Sequence, residues 1–549
     1  MALLEIKNLT FCYPKGGQAL KDINLSIEQS EFILICGASG CGKSTLLRHI
    51  KPVLRPHGEM TGEILLDGSP IDEMDFRAQS EQIGFVMQDP EMQIVTDKVW
   101  HELAFGLESL GVDNRSMRLR IAEMASFFGI QGLFDRPVSM LSGGEKQLVC
   151  LTSVMAMQPK LVLLDEPTSQ LDPIAAGEFF NTLKRINSEL GTTIIITEHR
   201  FESLFPLVDR VAFMRNGKIV ECCNPADAAQ KLRNDAELFS VLPTAMRIYA
   251  ETCLGGHDLN GAPLTVREGR EYLSTLKLDL NSQNNDSFQI HNSKRLSKPL
   301  IRVHEAWFRY DRDSEDVLRG LSFEIRAGEL TCVIGGNGAG KTTALLVAAG
   351  IYRPYRGKVQ HIRNGDAAKM PNNGVAMLMQ NPRSSFVKDS VREELESACR
   401  AHRIPASRMS EVVSLMEIEP ILDSHPYDIS GGELQRAAIA RILLPSPNIV
   451  FLDEATKGMD AFFKAKFGAL LRRLTEGGTA VVLVSHDIEF CAEFADRCVM
   501  LFNGEITAEG SPREVFLGNS FYTTAANRIA RGIIDSAVLA EDIISAVKN

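Results

Sequence analysis

The stretch that decides the fold is GASGCGKST, residues 37–45, which follows the apolar run FILIC, residues 32–36. A second copy stands later in the chain, where LTCVI, residues 330–334, runs into GGNGAGKTT, residues 335–343. A strand that enters a glycine-rich turn and then a helix lets backbone N–H groups converge on phosphate oxygens at the positive end of the helix dipole. The pattern GxxxxGK followed by Ser or Thr therefore predicts two phosphate-binding loops in an α/β fold.

Charged and hydroxyl side chains complete each predicted loop. Lys43 and Lys341 would supply positive charge to a bound phosphate, and Ser44 and Thr342 would offer hydroxyl groups to Mg²⁺. A chance match is the alternative, and the strand and helix on either side of each loop argue against it. The residues predicted to line the two loops are Gly37, Ala38, Ser39, Gly40, Cys41, Gly42, Lys43, Ser44, Thr45, Gly335, Gly336, Asn337, Gly338, Ala339, Gly340, Lys341, Thr342 and Thr343.

Two further apolar strands, LVLLDE and IVFLDE, each end in a pair of acids. After a phosphate loop, the first acid of each pair, Asp165 or Asp453, is expected to hold Mg²⁺ directly or through water. The second acid, Glu166 or Glu454, would position and activate an attacking water molecule. A strand that simply ends in solvated acids is the alternative for this pattern taken alone.

The chain repeats all of these motifs in the same order, which indicates tandem duplication of one whole domain. A solenoid is excluded because its repeats are only about 20–50 residues long. A polar stretch near the middle predicts a linker, and the apolar spacing of the chain's last residues predicts a helix. The predicted boundaries are 1–240 for the first domain, 241–280 for its C-terminal extension, 281–299 for the linker, 300–520 for the second domain and 521–549 for a C-terminal helical extension.

The length and composition of the chain limit the number of domains and the classes of protein to which it can belong. With 549 residues, 44% hydrophobic and 23% charged, the chain is expected to fold into two to four domains. A net charge of −11 argues against a dedicated nucleic-acid binder. We find no apolar run of membrane-spanning length and no signal peptide, so we expect a cytoplasmic protein that reaches a membrane only through a partner. The eleven cysteines include no CxxC pair and predict buried thiols in a reducing compartment.

The motifs LSGGEKQ, residues 141–147, and ISGGELQ, residues 429–435, stand between each loop and its acidic strand. With them the chain resembles ATP-binding cassette (ABC) ATPases over nearly its whole length. The resemblance implies two tandem ABC-type P-loop NTPase domains, each with a RecA-like α/β core, an antiparallel β subdomain and an α-helical signature subdomain. It also implies ATP hydrolysis, with ATP and Mg²⁺ bound. In the family the signature contacts the γ-phosphate of ATP held by the other cassette, and its residues here are Ser142, Gly143, Gly144, Ser430, Gly431 and Gly432.

Further positions take roles by the same resemblance. Tyr13 and Tyr310 resemble the aromatic residue that stacks on adenine, and a core aromatic at a strand end is the alternative. Gln88 and Gln380 resemble the loop glutamine that reaches Mg²⁺ and the attacking water and also senses the membrane partner.

The last motif positions complete a pair of composite sites. His199 and His486 resemble the switch histidine that contacts the γ-phosphate, although a lone histidine after an apolar strand is usually structural. Asp172 and Asp460 resemble the aspartates of the loop that crosses the dimer interface. The resemblance implies that the two cassettes form an intramolecular pseudo-dimer that closes head to tail around two ATP molecules. The copies differ around these motifs, but no catalytic group is lost, so both sites are predicted to hydrolyse ATP.

A closer resemblance concerns residues 88–111, QDPEMQIVTDKVWHELAFGLESLG, which look like the segment after the loop glutamine in energy-coupling factor (ECF) ATPases. These ATPases drive uptake of vitamins and transition-metal ions. LPTAMRIYAE, residues 242–251, and GAPLTVREG, residues 261–269, resemble the C-terminal extension of the same group. The resemblance implies a membrane-embedded coupling subunit whose helices dock in grooves of the cassettes. Residues 383–386 depart from this pattern in the second cassette.

Two other classes remain open. A fused sugar-importer ATPase also carries two cassettes, but it tends to have one degenerate half, whereas both sites here are intact. A ribosome-associated ABC translation factor should carry a basic arm between its cassettes for RNA. Residues 226–298 hold nine Lys and Arg against nine Asp and Glu, so no nucleic-acid partner is expected.

Overall fold

The computed structural model describes residues 2–14, 17–253, 261–278, 299–363, 366–368 and 374–547. They form two compact units, Met1–Gly269 and Arg270–Asn549, which divide inside the predicted extension 241–280. The predicted linker 281–299 lies outside the described residues except for Pro299, which begins a strand. Within these ranges no helix combines the length and the apolar character needed to cross a bilayer.

Strands and helices alternate through the first half of the chain, as expected for an α/β fold. The strands are β1 Ala2–Cys12, β2 Gln18–Glu28, β3 Phe32–Gly37, β4 Glu59–Leu66, β5 Ser69–Pro70, β6 Ile83–Val86, β7 Leu161–Asp165, β8 Thr193–Thr197, β9 Arg210–Arg215 and β10 Lys218–Cys223. The α-helices are α1 Lys43–Ile50, α2 Phe76–Gln82, α3 Val99–Ser109, α4 Asn114–Phe127, α5 Gly143–Ala156, α6 Pro173–Leu190, α7 Ala228–Leu232, α8 Ala236–Phe239, α9 Thr244–Thr252 and α10 Val266–Thr275.

Two sheets organise the described part of the first unit. One is antiparallel with the order β2-β1-β4-β5, and the other has the order β10-β9-β3-β8-β7-β6 and is parallel except for β10. Strands β3, β7 and β8 are buried along their whole length, which explains their uninterrupted apolar sequences. Because these three neighbours run parallel, the segments that follow them leave the sheet at the same edge.

The described part of the second half repeats the strands of the first in the same order, with small differences in the helices. Its strands are β11 Pro299–Phe308, β12 Leu318–Arg326, β13 Leu330–Ile334, β14 Arg356–Arg363, β15 Asp366–Ala368, β16 Val375–Leu378, β17 Ile449–Asp453, β18 Ala480–Val484, β19 Arg497–Phe502 and β20 Glu505–Gly510. Its α-helices are α11 Lys341–Ala348, α12 Val391–His402, α13 Ala406–Leu415, α14 Gly431–Leu443, α15 Ala461–Glu476, α16 Ile488–Phe494, α17 Pro512–Leu517, α18 Ala525–Ala530 and α19 Ala540–Ala546.

Sheet order in the second unit repeats that of the first. The described strands form the sheets β12-β11-β14-β15 and β16-β17-β18-β13-β19-β20. The central strands β13, β17 and β18 correspond to β3, β7 and β8 and are likewise fully buried. The predicted duplication of one α/β domain is therefore present in the fold, and the predicted fold class is confirmed.

The end of the chain differs from the single helical pattern that its sequence suggests. Helices α18 and α19 are separate, and a connecting segment between them contains Gly532 with a φ of 80°. A left-handed residue of this kind ends a helix, which accounts for the break after α18. Ile534 and Val538, which follow helical spacing in the sequence, are instead buried in the connecting segment.

All eleven cysteines are free thiols.

Candidate functional site

The two glycine-rich loops each close around their own lysine. The Nζ atom of Lys43 donates to the carbonyl oxygens of Gly37 at 2.8 Å and Ala38 at 3.0 Å. Lys341 donates in the same way to Gly335 at 3.0 Å and Gly336 at 2.9 Å. Both lysines are buried, so each loop presents a positive charge held by backbone carbonyls.

The first glycine of each loop is required by packing. A Cβ atom on Gly37 would lie 2.3 Å from the carbonyl oxygen of Met214, and one on Gly335 would lie 2.3 Å from that of Leu501. Backbone atoms cannot yield as a flexible side chain can, so any larger residue would push the loop off the neighbouring strand. The sequence therefore needs glycine here to set the loop over the sheet.

Asp165 ends strand β7 beside the first loop and is fully supported by hydroxyl groups. Its Oδ1 atom accepts hydrogen bonds from Ser44 Oγ at 2.8 Å and from Thr197 Oγ1 at 2.9 Å. Burial raises the pKa of Asp165 and the charge of Glu166 adds to this, while the two hydroxyl hydrogen bonds oppose it. Ser44 and Asp165, each predicted from the sequence to hold Mg²⁺, therefore lie in contact.

Glu166 contacts two other predicted catalytic residues of the first site. Its Oε1 lies 2.9 Å from His199 Nε2, and its Oε2 accepts a hydrogen bond from Gln88 Nε2 at 2.8 Å. Burial favours a higher pKa for Glu166, but the charge and hydrogen bond of His199 and the charge of Lys43 outweigh it, so the pKa is lowered. Two other predicted catalytic residues, Gln88 and His199, therefore both contact the Glu166 carboxylate.

The backbone at both glutamates is strained. Glu166 has a φ of 44° and Glu454 a φ of 55°, in the left-handed region that side-chain-bearing residues seldom occupy. In each unit the amide of the glutamate donates to the last residue of the neighbouring strand, Thr197 at 3.0 Å or Val484 at 2.9 Å. Strain of this kind, of order 1–3 kcal/mol, is typical of functional positions.

Asp453 occupies the equivalent place in the second unit but lacks the same support. It is fully buried, and neither of its side-chain oxygens receives a hydrogen bond of good geometry from the described residues. Burial raises its pKa, and the nearby Thr342 hydroxyl and Lys341 charge oppose the rise only in part. Val484 stands where the first unit has Thr197, so one of the two supporting hydroxyls is missing.

The remaining catalytic candidates of the second unit are also arranged differently. His486 Nε2 lies 3.2 Å from Glu454 Oε1 and 3.3 Å from Lys341 Nζ. Gln380 is exposed, whereas Gln88 is half-buried against its glutamate. The two sites thus contain the same residues in unequal arrangements.

Both signature motifs begin a helix with a reciprocal cap. Ser142 starts α5, where its N–H and hydroxyl donate to Glu145 Oε2 at 2.7 and 2.8 Å. Ser430 starts α14 and donates to Glu433 Oε2 at 2.9 and 2.7 Å. Both serines are exposed, so each signature helix presents its N-terminal end at the surface of its unit.

The two predicted adenine-stacking tyrosines lie at the ends of the loops. Tyr13 shares a hydrogen bond of 3.1 Å with the Thr45 hydroxyl, and Tyr310 one of 3.0 Å with that of Thr343. Their exposed fractions, 36% and 56%, argue against the alternative of a core aromatic. Each ring is held beside its loop by the hydroxyl contact.

The remaining loop aspartates have a local structural function. Asp172 caps helix α6 by accepting from the amides of Ile174 and Ala175 at 3.0 and 2.9 Å. Asp460 caps α15 by accepting from the amide of Phe463 at 2.8 Å. Both hold the chain that follows the acidic strand at a fixed helix start.

Sequence reasoning missed two buried glutamates that fasten the segment after each loop glutamine. Glu102 Oε2 accepts from the amides of Val95 at 3.1 Å and Thr96 at 3.0 Å. Glu394 Oε2 accepts from the amides of Val387 at 3.0 Å and Lys388 at 3.1 Å. Aligning the two copies with each other would have placed both glutamates at one position of the repeat.

Comparison with known proteins identifies the family of the chain. The family model of the ABC transporter matches residues 20–169 and 318–457, more than half of the chain. A candidate ABC transporter ATP-binding protein of Bacillus anthracis is 39% identical, with 100% of this chain and 99% of that protein covered. A similar protein of Methanosarcina acetivorans is 31% identical, with 93% and 86% covered.

One solved structure matches nearly the whole chain. It is an archaeal ribosome recycling factor in complex with a ribosomal stalk protein, with a TM-score of 0.58, 19% identity, and 93% of this chain and 91% of that chain covered. At this identity the match shows a shared fold alone. The full-length relatives, the family match and the two sets of loop, acid and signature motifs show that the chain belongs to the ABC transporter family of ATP-binding proteins and is an ATP hydrolase with two tandem cassettes.

Proposed function

We propose that the chain is the energy-coupling subunit of an ECF-type importer for vitamins or transition-metal ions. It would lie at the cytoplasmic face of the membrane through membrane-embedded coupling subunits. The observation that carries the proposal is the row of exposed apolar side chains in residues 88–111, the stretch whose sequence resembles ECF ATPases.

Four large apolar side chains in this stretch are exposed. Met92 and Val95 are 66% and 65% exposed, and Trp100 and Phe105 on helix α3 are also exposed. Concentrated apolar exposure of this kind is typical of a protein interaction surface. We call Met92, Val95, Trp100 and Phe105 the apolar docking segment, and an amphipathic helix of a membrane subunit is the occupant that fits it.

The apolar docking segment is connected to the first hydrolysis site by hydrogen bonds. Gln93 Oε1 accepts from the Met87 amide at 2.8 Å, next to Gln88, whose side chain donates to Glu166. Gln147 on the signature helix α5 donates to the Met87 carbonyl at 3.1 Å. A displacement of the segment by a partner would therefore reach both the catalytic glutamate and the signature helix.

The second cassette offers a different surface at the equivalent positions. Val387 is exposed like Val95, but Arg392 and Ser397 stand where the first cassette has Trp100 and Phe105. Arg392 forms an ion pair of 2.7 Å with Asp423. We therefore propose that the two cassettes engage two chemically different segments of the membrane subunits, with the more apolar segment on the first cassette.

The hydrolysis mechanism that we propose uses the same groups in each cassette. The loop lysine, Lys43 in the first site, neutralises charge on the γ-phosphate. Glu166 orients a water molecule and receives its proton as the water oxygen bonds to the γ-phosphorus and the bond to the β–γ bridging oxygen breaks. His199 holds Glu166 in place. The signature of the other cassette would complete each site on closure, and phosphate release would let the cassettes part.

The residues at the end of β17 fit Mg²⁺. Asp453 presents a buried carboxylate beside the Thr342 hydroxyl and the Lys341 charge, which offset the effect of its burial only in part. Oxygen donors of this kind are what Mg²⁺ prefers, and an unbalanced buried carboxylate is the group that a cation would neutralise. Asp453 and Thr342 in one site, and Asp165 and Ser44 in the other, would hold the ion, with Gln380 and Gln88 reaching toward it. When bound it would offset phosphate charge.

The proposal predicts that the apolar docking segment is needed for membrane association. We expect the double variant Met92→Glu/Val95→Glu to lose the small apolar membrane proteins that co-purify with the tagged wild-type chain from detergent extracts. Two carboxylates would have to be buried unpaired against an apolar helix, which is strongly unfavourable. Quantitative mass spectrometry of the eluates, compared with the wild type, measures the loss.

The control is Leu119→Glu, which places one such carboxylate on an exposed leucine of helix α4 outside the segment. It should retain the membrane proteins. Recovery of the wild-type chain with ribosomes instead of membrane proteins would contradict the transport proposal and favour the translation-factor class.

A second prediction concerns nucleotide affinity. Replacing Tyr13 and Tyr310 together with alanine should raise the Kd for ATP about ten-fold, because aromatic stacking on a base contributes about 1–3 kcal/mol. The double phenylalanine variant keeps the rings and loses only the hydroxyl contacts with Thr45 and Thr343, so its Kd should stay near the wild-type value. Titration with a fluorescent ATP analogue measures both. Equal affinity of the alanine and wild-type proteins would leave the tyrosines without a role in adenine binding.

A further inference from the structure

In both units a glutamate three residues after the switch histidine contacts the helix that opens the C-terminal extension; this glutamate lies in a loop in the first unit and in helix α16 in the second. Glu202 follows His199 by three residues, and its Oε1 accepts from the amide of Thr244 at 2.7 Å. The Thr244 hydroxyl donates to the same oxygen. Thr244 is the first residue of α9 and is buried, so the contact joins the loop to a packed part of the extension.

The second unit repeats the contact with different residues at the helix. Glu489 follows His486 by three residues, and its Oε1 accepts from the amide of Ala525 at 2.7 Å. Ala525 is the first residue of α18 and is fully buried. Alanine has no hydroxyl, so the feature common to both copies is a carboxylate on the first free amide of the helix, where the helix dipole favours negative charge.

We call the hydrogen bond from Glu202 or Glu489 to the extension helix the tether. The chain between this tether and the switch histidine is short and is held in place by packing. In the first unit only two residues separate Glu202 from His199, and one of them, Phe201, is buried against Phe205 with ring centroids 5.9 Å apart. On the other side of the histidine, its amide donates to Glu198 at 3.0 Å. A shift of the extension would therefore move the histidine that lies 2.9 Å from the Glu166 carboxylate.

We infer that Glu202 and Glu489 are positioning residues through which the C-terminal extensions set the geometry of the switch histidines. The inference rests on the proposed function of His199 and His486 in hydrolysis. It gives the extensions a function within the ATP cycle: a partner or nucleotide state that displaces an extension alters turnover without touching the phosphate loop.

The test compares alanine and glutamine at both positions in the full chain. In Glu202→Ala/Glu489→Ala the kcat for ATP hydrolysis should fall about ten-fold with little change in KM, since small displacements of a catalytic group have effects of this size. Glu202→Gln/Glu489→Gln retains an oxygen that accepts the helix amide, so it should recover most of the kcat. Amide hydrogen exchange at His199 should become faster in the alanine variant and not in the glutamine variant.

Matched controls remove two capping aspartates that do not contact the switch loop, one just before the first extension and one in the second. Asp235 caps α8 and pairs with Arg215, and Asp542 accepts from the amides of Val538 and Leu539. Asp235→Ala/Asp542→Ala should lower the thermal stability without the fall in kcat. An equal fall in kcat in this control, or a wild-type kcat in Glu202→Ala/Glu489→Ala, overturns the inference.

A separate variant distinguishes failure of the inference from failure of the proposed function. If His199→Ala/His486→Ala keeps the wild-type kcat, then the proposed histidine function is wrong, and the inference falls with it. If the histidine variant loses turnover and Glu202→Ala/Glu489→Ala does not, only the inferred positioning function of the two glutamates is wrong. Should the alanine variant fail to fold, Glu202→Asp/Glu489→Asp replaces it, because the shorter side chain withdraws the carboxylate from the helix amide. A wild-type kcat together with wild-type amide exchange at His199 in this variant also overturns the inference.

Discussion

ATP turnover should fall by about 10²–10⁴-fold when Glu166 and Glu454 are both replaced with glutamine. Each glutamate lies at the end of a buried strand in a left-handed backbone conformation and contacts its switch histidine. Glutamine keeps the shape but cannot receive the proton of the attacking water. The lysines and the phosphate loops are untouched, so ATP should still bind. Phosphate release at saturating ATP, together with a nucleotide-binding titration, separates the two effects.

Single variants test each site by itself. We expect both Glu166→Gln and Glu454→Gln to lower turnover, because each site retains its lysine, acids and histidine. Glu189→Gln is the control, since Glu189 is exposed at the end of α6 and pairs with Arg185 four residues earlier in the same helix. A single variant that hydrolyses ATP at the wild-type rate would show that its site is not catalytic.

The sequence predicted the parts of the site that depend on short motifs. The strand, glycine-rich loop and helix around Lys43 are contiguous in the chain, and their geometry follows from local backbone requirements. The sequence also assigned Ser44 and Asp165 to the same cation, and the structure brings them into contact because β3 and β7 are parallel strands of one sheet and the segments that follow them leave at the same edge. The duplication extended each of these predictions to the second half of the chain.

Features that depend on side-chain contacts between distant residues could not be predicted. The Thr197 hydroxyl donates a hydrogen bond to Asp165, whereas the Val484 side chain has no hydroxyl to offer Asp453. This difference can be recognised only when β7 and β8 are known to be neighbours. The tether of Glu202 to Thr244 spans 42 residues and has no motif. Helical spacing near the chain's end was misleading because a single left-handed glycine, Gly532, overrides the apolar pattern.

The unsupported carboxylate in the second site leads to the other large effect. Without nucleotide, Asp453→Asn should raise the free energy of unfolding by about 1–3 kcal/mol, because a neutral amide replaces a buried charge that its surroundings balance only in part. The direction follows from the raised pKa of Asp453, because a carboxyl whose pKa is raised in the fold has its ionised form destabilised there. Thermal unfolding in the presence of a chelator should show a shift of roughly 2–4 °C per kcal/mol. The same change should sharply lower ATP turnover.

Addition of ATP and Mg²⁺ should reverse the order of stability. The wild-type chain gains stability from a ligand that binds only the folded state, while Asp453→Asn loses a carboxylate proposed to hold the cation and gains less. Asp165→Asn is the comparison: burial raises the pKa of that carboxyl as well, but the substitution also weakens the hydrogen bonds from Ser44 and Thr197 at 2.8 and 2.9 Å, so we expect a smaller gain in stability in the nucleotide-free protein. If the two variants unfold alike without nucleotide, the missing hydroxyl at Val484 has no energetic consequence. If only Asp453→Asn is more stable than the wild type without nucleotide and less stable with ATP and Mg²⁺, then Asp453 lowers the stability of the nucleotide-free protein and contributes to cation binding.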